Sequence, residues 1–128
     1  MTSRRRSSAP DERRSRLRRG RLGEWAATLM LIAKGYRILA TRHRTPLGEI
    51  DLIAVRGRRI AFIEVKRRAT NAEAEAAITE FQARRIVEAA EHWLSKNPRY
   101  QQHEMGLDAI FVLPWTLPRH LPNSLADW

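Results

Sequence analysis

Gly48 to Arg68 reads GEIDLIAVRGRRIAFIEVKRR. Within this apolar, strand-like text stand three acids, Glu49, Asp51 and Glu64, and one lysine, Lys66. Strand side chains alternate between faces, so Glu49 and Asp51 share a face, as do Glu64 and Lys66. A reversal centred between Gly57 and Arg58 sets Asp51 opposite Glu64 and Glu49 opposite Lys66, all on one face. Two opposed carboxylates repel each other. A divalent cation offsets that repulsion. Mg2+, or Mn2+ in its place, takes oxygen ligands, needs few from protein and leaves positions for water and phosphate. A neighbouring ammonium can orient the attacking water or stabilise charge developing on a phosphate. The chemistry to expect is metal-assisted hydrolysis of a phosphodiester. The plainer alternative is a structural salt-bridge patch on a hairpin, with Glu49 serving as a partner of Lys66.

The elements that must position these groups are legible on either side. Leu22–Lys34 has helical periodicity, with one stripe of Leu22, Trp25, Ala26, Leu29, Ile32 and Ala33. Ala27, Met30 and Leu31 extend the apolar surface, so burial on more than one side is expected, with Trp25 in the core. Glu24 lies opposite that stripe, and Gly35 is the C-terminal stop. Tyr36–Thr41, Glu49–Val55 and Ile60–Lys66 read as three strands with short links, hence an antiparallel meander. A long helix follows over about Ala72–Ser95, with Asn71 as N-cap and Asn97-Pro98 as its end. Its inward stripe is Ala74, Ile78, Phe81, Ile86, Ala89, Ala90 and Trp93, and Gln82 and Arg85 fall within it. Leu107–Leu113 is a last strand. Beyond it, prolines at 114, 118 and 122 predict irregular chain over the surface. The order α-β-β-β-α-β predicts an α/β fold. Its sheet is mixed and flanked by helices, and the long helix crosses over to a parallel final strand.

Composition narrows the function classes. The chain has 128 residues and no cysteine, which excludes disulfides, thiolate metal sites and cysteine nucleophiles. A reducing cytoplasm is the expected setting. His43, His92, His103 and His120 lack metal-like spacing. No apolar run approaches the roughly 20 residues of a membrane-spanning helix. The net charge is +10, and residues 1–21 supply most of it, with nine arginines against two acids. Residues 1–19 read as a disordered arginine-rich tail before a domain spanning 20–128. Such charge favours nucleic acid over a membrane as partner. Arg56, Arg58 and Arg59 on the hairpin turn, with Arg67 and Arg68 after the lysine, suit phosphate contacts and equally suit a solvated turn.

GEIDLIA followed by FIEVKRR is similar to the signature of the YraN-like family of bacterial proteins. That family is a branch of the PD-(D/E)xK nuclease superfamily, related to archaeal Holliday-junction resolvases. GRLGEWAA resembles the family's first-helix motif and places Glu24 on its glutamate. GLDAIFV resembles the later strand, with Asp108 at its aspartate. Gln82 falls near a position where relatives carry lysine or glutamine. The likeness covers about residues 20–122 and leaves out the arginine tail. One departure is Gly106-Leu107, where relatives often show Arg-Phe. The resemblance implies a restriction-endonuclease-like core. It implies a catalytic set of Asp51, Glu64, Lys66, Glu24 and Gln82, with Mg2+ or Mn2+ on Asp51, Glu64 and the Val65 carbonyl. It implies a nucleic-acid substrate, DNA in the first place and branched DNA among its forms, and a homodimer. The rival expectation is a non-catalytic nucleic-acid-binding protein that keeps the fold.

Overall fold

The computed structural model describes residues 23–67, 80–114 and 116–125. The expected tail at 1–19, the first part of the long helix at 72–79, Arg68, Trp115 and Trp128 lie outside the described residues.

A first helix, α1, is described over 23–33. It ends where the sequence predicts. Gly35 takes a φ of 94°, and its N–H donates to the Ile32 carbonyl while that of Tyr36 reaches back to Leu31. This is the paired closure in which a left-handed glycine satisfies the last helical carbonyls. Three strands follow: β1 Arg37–Thr45, β2 Gly48–Arg56 and β3 Arg59–Arg67. Then come α2, Glu80–Ser95, a 3-10 turn at Pro98–Tyr100, β4 Glu104–Val112 and β5 Arg119–Leu121.

The five strands form one sheet in the order β1-β2-β3-β4-β5. Neighbours are antiparallel except β3 and β4, which run parallel, so the fold is α/β with a mixed sheet. The β2–β3 register is the one the hairpin arithmetic requires, with Arg56 opposite Arg59 and Leu52 opposite Ile63. The C-terminal stretch departs from its expected irregularity. It adds β5, pairs Ala109 with Leu121, and returns Leu125 to the core through an N–H bond to the Leu107 carbonyl. The prolines at 118 and 122 flank β5 rather than interrupt it, which leaves its three residues free to pair.

The sheet is covered on both faces. On one, Ile53, Val55, Phe62, Leu107 and Phe111 pack against Ile86, Ala89, Ala90 and Trp93 of α2. On the other, Leu52, Ala54, Ala61, Ile63 and Ile110 meet Ala27 and Leu31 of α1. Two sequence expectations are corrected here. The buried face of α1 is Ala27 and Leu31, while Trp25, Leu29 and Ile32 are 64%, 61% and 53% exposed. The Trp25, Leu29 and Ile32 stripe is the more apolar, but the sheet meets the face of Ala27 and Leu31. On α2, Phe81 is likewise exposed, because the inward stripe runs Ala83, Ile86, Ala89, Ala90 and Trp93.

Among the described residues no helix is long and apolar enough to cross a membrane.

Candidate acid and lysine site

The site lies where β2 and β3 part company. Their ladder runs from the Arg56–Arg59 turn to Leu52 and Ile63 and stops before Asp51 and Glu64. At that point a side chain replaces the backbone partner, and the Asp51 Oδ2 accepts the Val65 N–H at 2.7 Å. Regular alternation on β2 also lapses here. Ile50 and Ile53, three residues apart, both enter the α2 layer. Opening the ladder turns the Asp51 carboxyl toward Glu64 instead of leaving the two acids on a flat, fully paired strip.

The Lys66 Nζ lies 2.9 Å from the Glu64 Oε1, with both side chains about 15% exposed. Asp51 is half-buried, and its carboxyl is pushed up to about 8. Burial is the largest cause, followed by the Glu64 charge, with a hydrogen bond to Glu64 adding to both; the Val65 N–H works against them. Asp51 therefore keeps a proton that an ordinary carboxylate would have lost.

α1 brings Glu24 to the same place, close enough for its charge to disfavour ionised Asp51. Glu24 is held by Arg42, whose Nε lies 2.9 Å from both carboxylate oxygens. Arg42 has a φ of 48°, a left-handed backbone in mid-strand that costs on the order of 1–2 kcal/mol. Its guanidinium is held more firmly protonated than usual. The Glu24 hydrogen bond outweighs the burial cost, and the charges of Glu24, Glu49 and Asp51 add to it. The strained residue is thus the one that joins β1 to the acids. Arg67 stands at the rim, its stem passing Gly23 at the start of α1.

Glu49 is not part of this convergence. It is paired with Arg44 of β1 at 3.3 Å, on an exposed edge, and Lys66 turns to Glu64 instead. Gln82 is half-buried in the first described turns of α2.

A second acid-centred cluster occupies the other end of the sheet. Asp108 on β4 is fully buried. Its oxygens receive Nη1 and Nη2 of Arg59 at 2.8 and 2.7 Å, the Asn123 N–H at 2.8 Å and the His120 Nε2 at 2.8 Å. Burial alone would raise its pKa. The Arg59, His120 and Asn123 hydrogen bonds outweigh that and carry it down to about 2. Arg59 therefore belongs to the interior. Its Nη atoms also meet Tyr36 and Asn123, which corrects its expected place among the phosphate-contacting arginines. Arg56 lies over the Tyr36 ring at 4.7 Å and donates to the Lys34 carbonyl, while Arg58 remains exposed at the turn.

A family model described as "Uncharacterised protein family UPF0102" matches residues 23–112. The chain belongs to the UPF0102 family. A UPF0102 protein of Mesorhizobium japonicum is 50% identical over 112 residues, covering 88% of this chain and 90% of the relative. One from Rhodopseudomonas palustris is 47% identical over 117 residues, covering 91% and 87%. One from Sinorhizobium fredii is 48% identical over 116 residues, covering 90% and 95%. The stretch matched to UPF0102 contains every member of the acid and lysine site. It stops before β5, so His120 and Asn123 lie beyond it.

In this UPF0102 protein the structure brings together Glu24, Asp51, Glu64 and Lys66, with the Val65 backbone between the last two. Arg42 escapes sequence reasoning. It stands among three basic residues, Arg42-His43-Arg44, and nothing in the text marks the one with a left-handed backbone. The Arg59–Asp108 pair escapes it too, because the residues lie 49 apart.

Proposed function

We propose that this UPF0102 protein is a metal-dependent endonuclease with a PD-(D/E)xK-type site, hydrolysing phosphodiesters of nucleic acid, DNA first among them. One observation carries the reading. Asp51 and Glu64 meet where the β2–β3 ladder opens, with the Lys66 ammonium on Glu64. Lys66 pairs with Glu64 and Arg42 with Glu24, but Asp51 faces a second acid, whereas a purely structural patch would pair it with a cation as Glu49 is paired with Arg44.

The donor set fits a hard divalent cation. Among the described residues no group of three or more acid or histidine side chains gathers in metal-binding range. The protein would thus supply two carboxylates and the Val65 carbonyl, leaving the remaining positions to water and phosphate. That is the habit of Mg2+ and Mn2+ at phosphate sites rather than of zinc. When bound, such an ion polarises a phosphate oxygen and lowers the pKa of a water.

The side chains divide the remaining work. Asp51 must release its proton for the two acids to bind a cation. Lys66 holds a fixed positive charge beside them, able to orient a water or to stabilise charge building on the phosphate. Arg42 anchors Glu24, so that Glu24 shapes the field at Asp51. Gln82 would assist from α2. Exposed Arg58 and Arg67 suit backbone phosphates, and together with the arginines of residues 1–19 they would make binding salt-sensitive.

The test uses purified full-length protein with linear, flapped and four-way-branched DNA, in Mg2+ or Mn2+ against chelator. The expected result is metal-dependent cleavage that Glu64→Ala and Lys66→Ala each reduce at least a hundredfold, with binding retained. Binding without cleavage under every metal condition would transfer the chain to the non-catalytic rival.

A further inference from the structure

Trp25 stands on α1 next to Glu24 and is 64% exposed. Leaving an indole in water forgoes one of the larger apolar burials available to a side chain. With Glu24, Thr28 and Thr41 it lines an open recess of about 290 Å3. That lies at the lower edge of the range for ligand clefts, roughly 300–1,000 Å3, and suits one planar ring system rather than a folded chain. Among the described residues no ring or cation packs over Trp25. The other exposed aromatic among the described residues, Phe81, already has the Arg85 guanidinium 5.6 Å from its ring centre.

The walls have the chemistry of a base site. The indole offers a stacking face. Thr28 and Thr41 offer hydroxyls that donate or accept, and Glu24 offers carboxylate lone pairs for an amino group. Cations surround it for the backbone: Arg42 adjoins Thr41 on β1, and Arg67 passes the start of α1. Glu24 is shared between this recess and the acids, which sets the recess beside the acid site.

We infer that this recess takes one unpaired base of a single-stranded nucleic-acid segment, stacked on Trp25. Bases within a duplex stack on each other and cannot present a face to the indole; an unpaired base can. The site therefore favours substrates with a single-stranded stretch beside the scissile phosphate. The inference rests on the endonuclease reading only for what the neighbouring acids do, since base binding itself needs no metal.

A second copy of the chain is the competing occupant, because Trp25, Leu29 and Ile32 form one exposed stripe along α1. Of the three, only Trp25 reaches the recess, and the recess carries a carboxylate and two hydroxyls. Buried centres of protein interfaces shed charge, whereas base sites use it.

The test measures anisotropy of labelled single-stranded DNA and RNA and of a blunt duplex of equal length, with full-length protein in chelator. Trp25→Ala should weaken single-strand binding about tenfold and duplex binding less than twofold. Trp25→Phe should recover most of the loss and Trp25→Leu little of it, since leucine keeps the bulk but not the ring face. Thermal melts of the Phe and Leu variants check that the fold is kept. Equal losses on single strand and duplex, or full rescue by leucine, overturn the inference. So does a concentration-dependent dimer of the wild type that Trp25→Ala dissolves in sedimentation. Stacking in chelator with no cleavage once Mg2+ or Mn2+ is supplied would sink the endonuclease reading and leave the base site standing. Cleavage indifferent to Trp25 would do the reverse.

Discussion

Asp51 and Asp108 are the same residue type, one strand apart from β3 on either side, and they have opposite fates. Asp108 is sealed from water and has four donor groups around it, so its proton leaves more readily than in solution. Asp51 is only half-buried, yet burial and then the charge of a second carboxylate keep its proton in place. Burial does not separate the two, because the more buried acid is the more acidic. Partners do. One cluster is complete within the chain, and its role is to hold β3, β4 and β5 together. In the other, burial and a second carboxylate perturb Asp51 together, the combination by which acids mark functional-site candidates.

The sharpest way to break the contrast is Asp108→Ala. It leaves the Arg59 guanidinium, 15% exposed, without its carboxylate, and removal of one partner of such a pair costs about 3–5 kcal/mol. Urea unfolding should show that loss in full. Gly106→Ala comes next. Gly106 lies across from Ala61 on β3, and a methyl group there would overlap the Arg59 guanidinium. The arginine would have to leave Asp108 or the strands to separate, at about 2–3 kcal/mol on the same assay.

The pH profiles should slope in opposite directions. Asp108 titrates lower in the fold than in the unfolded chain. Its contribution, on the order of 2 kcal/mol, is present above about pH 4 and is lost as pH falls toward 2. Asp51 holds a proton in the fold that the unfolded chain gives up. Stability in chelator should therefore decline as pH rises from about 4 toward 8. Added Mg2+ should bind more tightly as pH rises through that window and should flatten the slope. An unchanged slope would mean that no cation takes the place of the proton.

The smallest effect is the most diagnostic in sign. Asp51→Asn keeps an oxygen to accept the Val65 N–H and removes the repulsion from Glu64. Stability in chelator should hold or rise by up to about 1 kcal/mol, while cleavage is lost. A destabilisation like that of Asp108→Ala would make the two clusters equivalent after all.

Local text decided much of this molecule. Alternation, the Gly57 reversal and the spacing of 51, 64 and 66 were enough to place the hairpin register, because pairing a strand one residue out of step would expose its whole apolar face. Gly35 was enough to end α1. The tertiary structure decided what periodicity leaves open. Two faces of α1 are apolar, and only the approach of the sheet selects the face of Ala27 and Leu31, leaving Trp25 in solvent. Glu49 pairs with Arg44 because β1 lies on that side of β2. Arg59 leaves the turn for the interior because parallel pairing of β3 with β4 sets Asp108 and the space above Gly106 within its reach. Sequence fixes which residues can share a face, since that depends on bonds between neighbours. Which charges meet, and whether they find partners, depends on distances between segments that no local pattern records.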